Sequence, residues 1–174
     1  MARYCVVLML VAMFSVPPSA AAGDGAALAA TLPNSLKNAR AGQWVRYRIN
    51  TLFGAADQKQ TLLRIDGEGD DRVLTIKSEM SIDDEIVDER TDSITYRQAV
   101  EEQEKALDEA EGIRIENASI DFRGTPMDAA RVDFVQDGNA CVLYLSEKVP
   151  LVGMIRMTVE GEEGPSMELL DFGE

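Results

Sequence analysis

The chain of 174 residues contains no histidine. That absence removes Ser-His-Asp and Cys-His catalysis and most zinc and copper chemistry, because the side chain that titrates nearest neutral pH and the commonest nitrogen ligand are both missing. Cysteine is nearly absent too. Of two, Cys5 lies in an N-terminal leader, so Cys141 would be alone in the mature chain and no internal disulfide could form. Cys141 sits in an apolar run with no activating neighbour, which reads as a small core residue rather than a nucleophile. Basic residues are few: 17 Lys and Arg face 31 Asp and Glu, a formal charge of −14. Phosphate backbones and anionic lipid headgroups are bound by Lys and Arg, so nucleic acid is excluded as an expected partner. None of the nine serines has a lysine three residues on, which sets aside the Ser-Lys acylation motif.

Long apolar runs are also scarce. The one near the start, Cys5 to Val16, follows Arg3 and precedes Pro17-Pro18 and the small residues Ser19 to Ala22. That order is the layout of a secretory signal, and the run is short for a bilayer span. Residues 1–22 are therefore expected to be a cleaved signal peptide, 23–40 a flexible N-terminal arm with at most a short helix, and 41–174 a single β-rich domain. After cleavage no segment is long enough to span a membrane, and the destination is periplasmic or secreted. A domain of this size buries about 70% of its unfolded surface, enough to hold without disulfides.

What is present is a period of two. Val45, Tyr47 and Ile49 alternate with Arg46, Arg48 and Asn50, with Trp44 on the other face. Two further runs flank "DGEGDD", where Gly67 and Gly69 permit a tight hairpin connection. From Ile94 to Glu111 the composition changes to helix formers, with Asp92 or Ser93 placed to cap the start and Gly112 to end it. Tyr96, Ala99, Val100, Ala106, Leu107 and Ala110 form its apolar stripe, which Gln103 interrupts. Alternation then returns. Ile113 and Ile115 are out of phase with Ile120 and Phe122, which predicts a bulge near Asn117 or Ala118. "GTP" and "DGN" mark turns on either side of Ala130, Val132 and Phe134. The runs "ACVLYL", "MIRMTVE" and "SMELLDFG" complete about eight strands. The predicted fold is α+β, mostly β: a curved antiparallel sheet or half-barrel of about eight strands with one main helix.

No stretch carries a recognisable active site. Asp66, Glu68 and Asp70 resemble the opening of a calcium loop, but Asp71 stands where that loop needs glycine and Lys77 where it needs a bidentate glutamate. "GEGDDR" lacks the third glycine of a dinucleotide fingerprint. The acidic run Asp83 to Asp92 reads as a solvated edge strand or loop. Asn117-Ala118-Ser119 is a glycosylation acceptor in form only. No catalytic, cofactor-binding or metal-ligating residue is assigned, and no cofactor is implied. The stretch Ser146 to Gly153 combines a strand end, Pro150 and a permissive glycine; a corner between strands and a ligand rim share those features.

The late pattern Ser146, Val149, Pro150, Gly153, Ile155, Arg156 and the ending Leu170 to Gly173, with Gly42, Trp44 and Tyr47 earlier, resembles uncharacterised secreted or lipid-anchored bacterial proteins. More distantly, the curved sheet is similar to the half-barrel of bacterial lipoprotein carriers (LolA/LolB-like), which hold acyl chains between sheet and helix. The resemblance carries no activity and no functional residue. The expectation is an exported non-enzymatic protein that binds an apolar small molecule or lipid in the concavity of its sheet, with Met154, Met157 and Met167 as adaptable lining. The alternatives are an envelope interaction module with a filled core, whose partner is another envelope protein, and an uncommon hydrolase using carboxylates alone.

Overall fold

The computed structural model describes residues 30–51, 54–136, 138–160 and 166–174. The expected signal peptide lies outside the described residues. A 3₁₀ turn, Ser35–Asn38, precedes β1 (Trp44–Thr51), β2 (Gly54–Asp66), β3 (Val73–Ile82) and β4 (Glu85–Thr95). One α-helix among the described residues, α1 (Tyr96–Glu109), follows. It leads into β5 (Glu111–Phe122), β6 (Thr125–Gln136), β7 (Asn139–Leu145), β8 (Met154–Val159) and β9 (Ser166–Gly173). All nine strands form one open, curved antiparallel sheet in the order β4-β3-β2-β1-β9-β8-β7-β6-β5. The ninth strand, beyond the eight expected, is β4: the acidic run pairs along the whole of β3.

That order has a geometric consequence. The chain starts in the middle of the sheet, works outward to β4, and α1 then carries it to the opposite edge at β5. From there the strands return to the middle, where β9 pairs with β1. Extra residues at Leu63, Val87, Ile155 and Leu170 interrupt the ladders, and such bulges bend a strand and increase its twist.

The core follows the alternation. Val45 and Tyr47 are fully buried and Ile49 nearly so, while Arg46, Arg48 and Asn50 face solvent. Leu62, Leu74, Val132, Leu143 and Leu169 extend the same cluster, each contributing roughly 1.5–3 kcal/mol by leaving water. Gly67 and Gly138 take the positive φ expected at their hairpin connections, and Cys141 is buried.

Three local expectations are corrected. The helix cap is Thr95 rather than Asp92 or Ser93: its hydroxyl accepts from the Gln98 N–H at 3.1 Å, and its own N–H donates to Gln98 Oε1 at 3.1 Å. Asp92 and Ser93 lie further back in the β4 ladder, opposite Ile76 and Thr75, whereas Thr95, opposite Val73, is its last residue and adjoins the helix. Gly112 likewise does not end the helix, which stops at Ala110 and passes directly into β5. The bulge near Asn117 is absent: pairing with β6 is continuous from Arg114 to Phe122, and the irregularity falls between Glu111 and Arg114. Burial still changes face, in β5 from Ile115 to Ala118 and in β6 from Val132 to Ala129. There the β5–β6 ribbon extends past the end of β7, and a two-stranded ribbon twists more than a full sheet.

Candidate functional site

The apolar stripe of α1 faces the sheet, yet only Ala99 on this helix is buried. The helix stands off the strands, and the space beneath it is filled only in part. Two segments enter it. One is the N-terminal arm, where Leu32 and Ser35 are buried; the other is the corner after β7, where Val149 and Leu151 are 0% and 1% exposed.

The corner is tightly built. The Ser146 N–H donates to the Gly153 carbonyl at 2.7 Å, the Val149 N–H donates to the Ser146 carbonyl at 3.2 Å, and the Ser146 hydroxyl donates to the Asp128 carbonyl at 2.7 Å. Leu151 has φ +62°, a left-handed conformation that costs a non-glycine residue about 1–2 kcal/mol. Full burial of its side chain offsets that cost. The arm is fastened on both sides. Ser35 donates to the Ser146 carbonyl, the Arg72 guanidinium donates to the Leu36 and Lys37 carbonyls at 2.9 and 3.1 Å, and Asn34 donates to the Tyr96 hydroxyl at 2.9 Å. Arg72 also lies 4.2 Å over the Tyr96 ring, which ties the arm to the first turn of α1.

Among the described residues, two cavities share Leu36, Leu151 and Val152 in their linings. The first, about 180 Å³, is apolar and lies between Ala99, Ala106 and Leu107 of the helix and Val132, Phe134 and Leu143 of the sheet. Met157 lines it, whereas Met154 and Met167 are core residues outside it. Gln103, which interrupts the helical stripe, is on the same face and lines this cavity. The second, about 320 Å³, is amphipathic: Leu74, Ile76 and Ser78 at alternate positions of β3, beside Gln60 of β2 and Arg90 and Asp92 of β4, with Gln98 and Glu102 from the helix.

Several polar atoms at this level lack partners. Glu102 Oε2 is sealed from solvent with none, and burial pushes the Glu102 carboxyl up, with Lys105 opposing. Deeper in the sheet, the Tyr47 hydroxyl and Gln58 Oε1 are buried and unpartnered, and burial raises the Tyr47 phenol far above its ordinary value. Unmade hydrogen bonds at buried positions are unusual in native proteins and mark strain or a missing partner. Among the described residues no group of three or more His, Cys, Asp or Glu side chains is arranged to hold a metal ion, and no helix is long and apolar enough to cross a membrane.

No family model and no curated protein matches the chain. Solved structures do, thirteen chains in all, among them the following two. A protein of Parabacteroides distasonis, provisionally described as a lipoprotein, has a TM-score of 0.51 at 8% identity, over 77% of this chain and 96% of its own. A provisionally described exported protein of Bacteroides fragilis with a YmcC-like fold has a TM-score of 0.48 at 6% identity, over 78% of this chain and 97% of its own. The likeness to the Parabacteroides protein is one of fold.

The stretch Ser146 to Gly153 forms a tight corner between β7 and β8, and its Leu151 and Val152 line both cavities. The acidic positions Asp66, Glu68 and Asp70 sit at the exposed β2–β3 connection and line neither cavity. Gln58, Gln60 and Glu102 were not singled out by sequence reasoning. A signal existed for the glutamines, since Gln58, Gln60 and Leu62 share one face of β2 at a spacing of two. None existed for Glu102 among so many helical acids.

Proposed function

We propose that this is an exported, non-enzymatic protein that binds an apolar or amphiphilic small molecule between helix and sheet. In this reading residues 1–22 are the signal peptide, and the mature chain is an arm followed by one β-rich domain in the periplasm or outside the cell. The observation that carries it is the apolar cavity under α1, where small side chains, Ala99, Ala106 and Ala110, on the inward face leave room for a guest. The provisional descriptions of the two structural neighbours as lipoprotein and exported protein agree with an envelope or secreted location. The test is native mass spectrometry of the mature protein with organic extraction, beside titration with an apolar fluorescent probe. Binding near one to one, lost in Ala106→Phe with the circular dichroism spectrum unchanged, supports the reading. An apo mass with no probe binding overturns it.

A second reading, an envelope interaction module, rests on β4. This edge strand exposes Ile86 and Val87 at 60% and 55% among Asp83, Asp84, Glu85, Asp88 and Glu89. An open edge with that character favours strand addition by a basic extended segment of another protein.

A further inference from the structure

We infer that the amphipathic cavity is the head-group subsite for a ligand whose tail occupies the apolar cavity, and that the head it takes is a primary amine held by Glu102. The inference rests on reading the apolar cavity as a ligand site. Leu36, Leu151 and Val152 border both spaces, so one amphiphile can lie against the same wall with its tail on one side and its head on the other.

The chemistry of the head follows from what the lining already satisfies. The cation of this cavity, Arg90, is 3.4 Å from Asp92, so that carboxylate has its partner. Glu102 Oε2 is shut away from water without a hydrogen bond; Lys105, one turn on, attracts the carboxylate and lies 3.9 Å from Glu109, but makes no hydrogen bond to that oxygen. Gln60, 6% exposed, lines the same cavity with an amide, a group that can accept from an N–H donor. An ammonium would supply the missing partner with a charge-assisted hydrogen bond. A carboxylate or phosphate head would instead meet Asp92 and Glu102 with the one arginine of the lining engaged. An alcohol could donate to Glu102 but would bring no charge.

Calorimetric titration of the mature protein with octylamine, octanol and octanoate, beside an apolar fluorescent probe, tests this. The expected order is amine, then alcohol, then acid, with the amine about tenfold tighter than the alcohol. Glu102→Gln should bring the amine down to the alcohol and leave the alcohol unchanged. Glu101→Gln, one residue away and exposed, removes the same net charge and should keep the amine's advantage. Octanoate binding as tightly as octylamine, or an amine advantage that survives Glu102→Gln or is equally lost in Glu101→Gln, overturns the assignment. Failure of all three compounds while the probe still binds overturns the head-group subsite alone. Failure of the probe as well overturns the cavity reading beneath it.

Discussion

Ser35 and Gly153 meet at the point where the N-terminal arm crosses the corner after β7: a Cβ on Gly153 would lie 2.6 Å from the Ser35 hydroxyl oxygen. The same hydroxyl donates to the Ser146 carbonyl at 3.2 Å, and that carbonyl would be 3.2 Å from the added Cβ. Gly153 also has φ +74°. Gly153→Ala should therefore lose roughly 2–3 kcal/mol, from left-handed strain and the forced shift of Ser35 together. Urea denaturation measures it. Adding Ser35→Ala should recover the steric part and leave the backbone part, so a double variant no better than the single one would contradict this geometry.

Tyr47 is the reverse case, a side chain that should gain by losing an atom. Its hydroxyl is fully buried with no hydrogen bond among the described residues, and a buried group of that kind costs about 1–3 kcal/mol. Tyr47→Phe should raise the melting temperature. A lowered one would show that the hydroxyl has a partner in solution, with buried Gln58, its neighbour across the β1–β2 ladder, the first place to look.

Asp57 and Glu102 should bend the stability curve in opposite directions. Burial alone would raise the Asp57 carboxyl, but hydrogen bonds from Arg48 and Arg46 outweigh it and hold the group below its ordinary value. Its contribution is present above the unfolded carboxyl's value of about 4 and is lost as pH falls through the depressed folded value. Asp57→Asn should cost on the order of 1 kcal/mol or less at neutral pH, since both arginines are half exposed, and should flatten the acid limb. Glu102 is raised by burial, so its carboxyl favours the folded state in acid and disfavours it as pH rises through the folded value. Glu102→Gln should be more stable than the parent at neutral pH and level with it in acid; thermal melts across pH read both signs.

Thr95 and Gln98 form a reciprocal cap at the start of α1. Thr95→Ala removes the hydroxyl acceptor and should cost about 1 kcal/mol. Because Thr95 is also the last residue of β4, amide exchange should quicken in the first turn of the helix and, across the ladder, at Val73. Change confined to the helix would separate the two roles.

Much of this fold is local in origin, and those parts are the ones the sequence reveals. The connections at Gly67 and Gly138 are written in residue type, because few side chains accept their φ, and the alternation around Val45 to Ile49 states which face is buried. The helix was legible in composition but not in its cap, since whether Asp92 or Thr95 is free to turn inward depends on how far β3 pairs. The face change at Ala118 and Ile120 looked like a bulge because periodicity registers a change of phase without its cause, and here the cause is where β7 stops. The cavities were least legible. Leu32, Leu151 and Ala106 are distant in the chain, and nothing in their immediate neighbours says that they approach one another.

The pairing of β1 with β9 sets the order in which the sheet can be completed. Trp44 faces Gly173 and Asn50 faces Ser166, so the first strand acquires one of its two neighbours only when the last strand is in place. Until then the molecule is two fans, β1 to β4 and β5 to β8, held by a helix between their far edges and each open along its inner edge. Contacts that span nearly the whole chain form slowly, and open inner edges invite pairing with other molecules while they wait. The eight residues of β9 thus act as a keystone. A chain lacking them would not be a slightly shorter protein but an unclosed one, prone to find its missing strand in its neighbours.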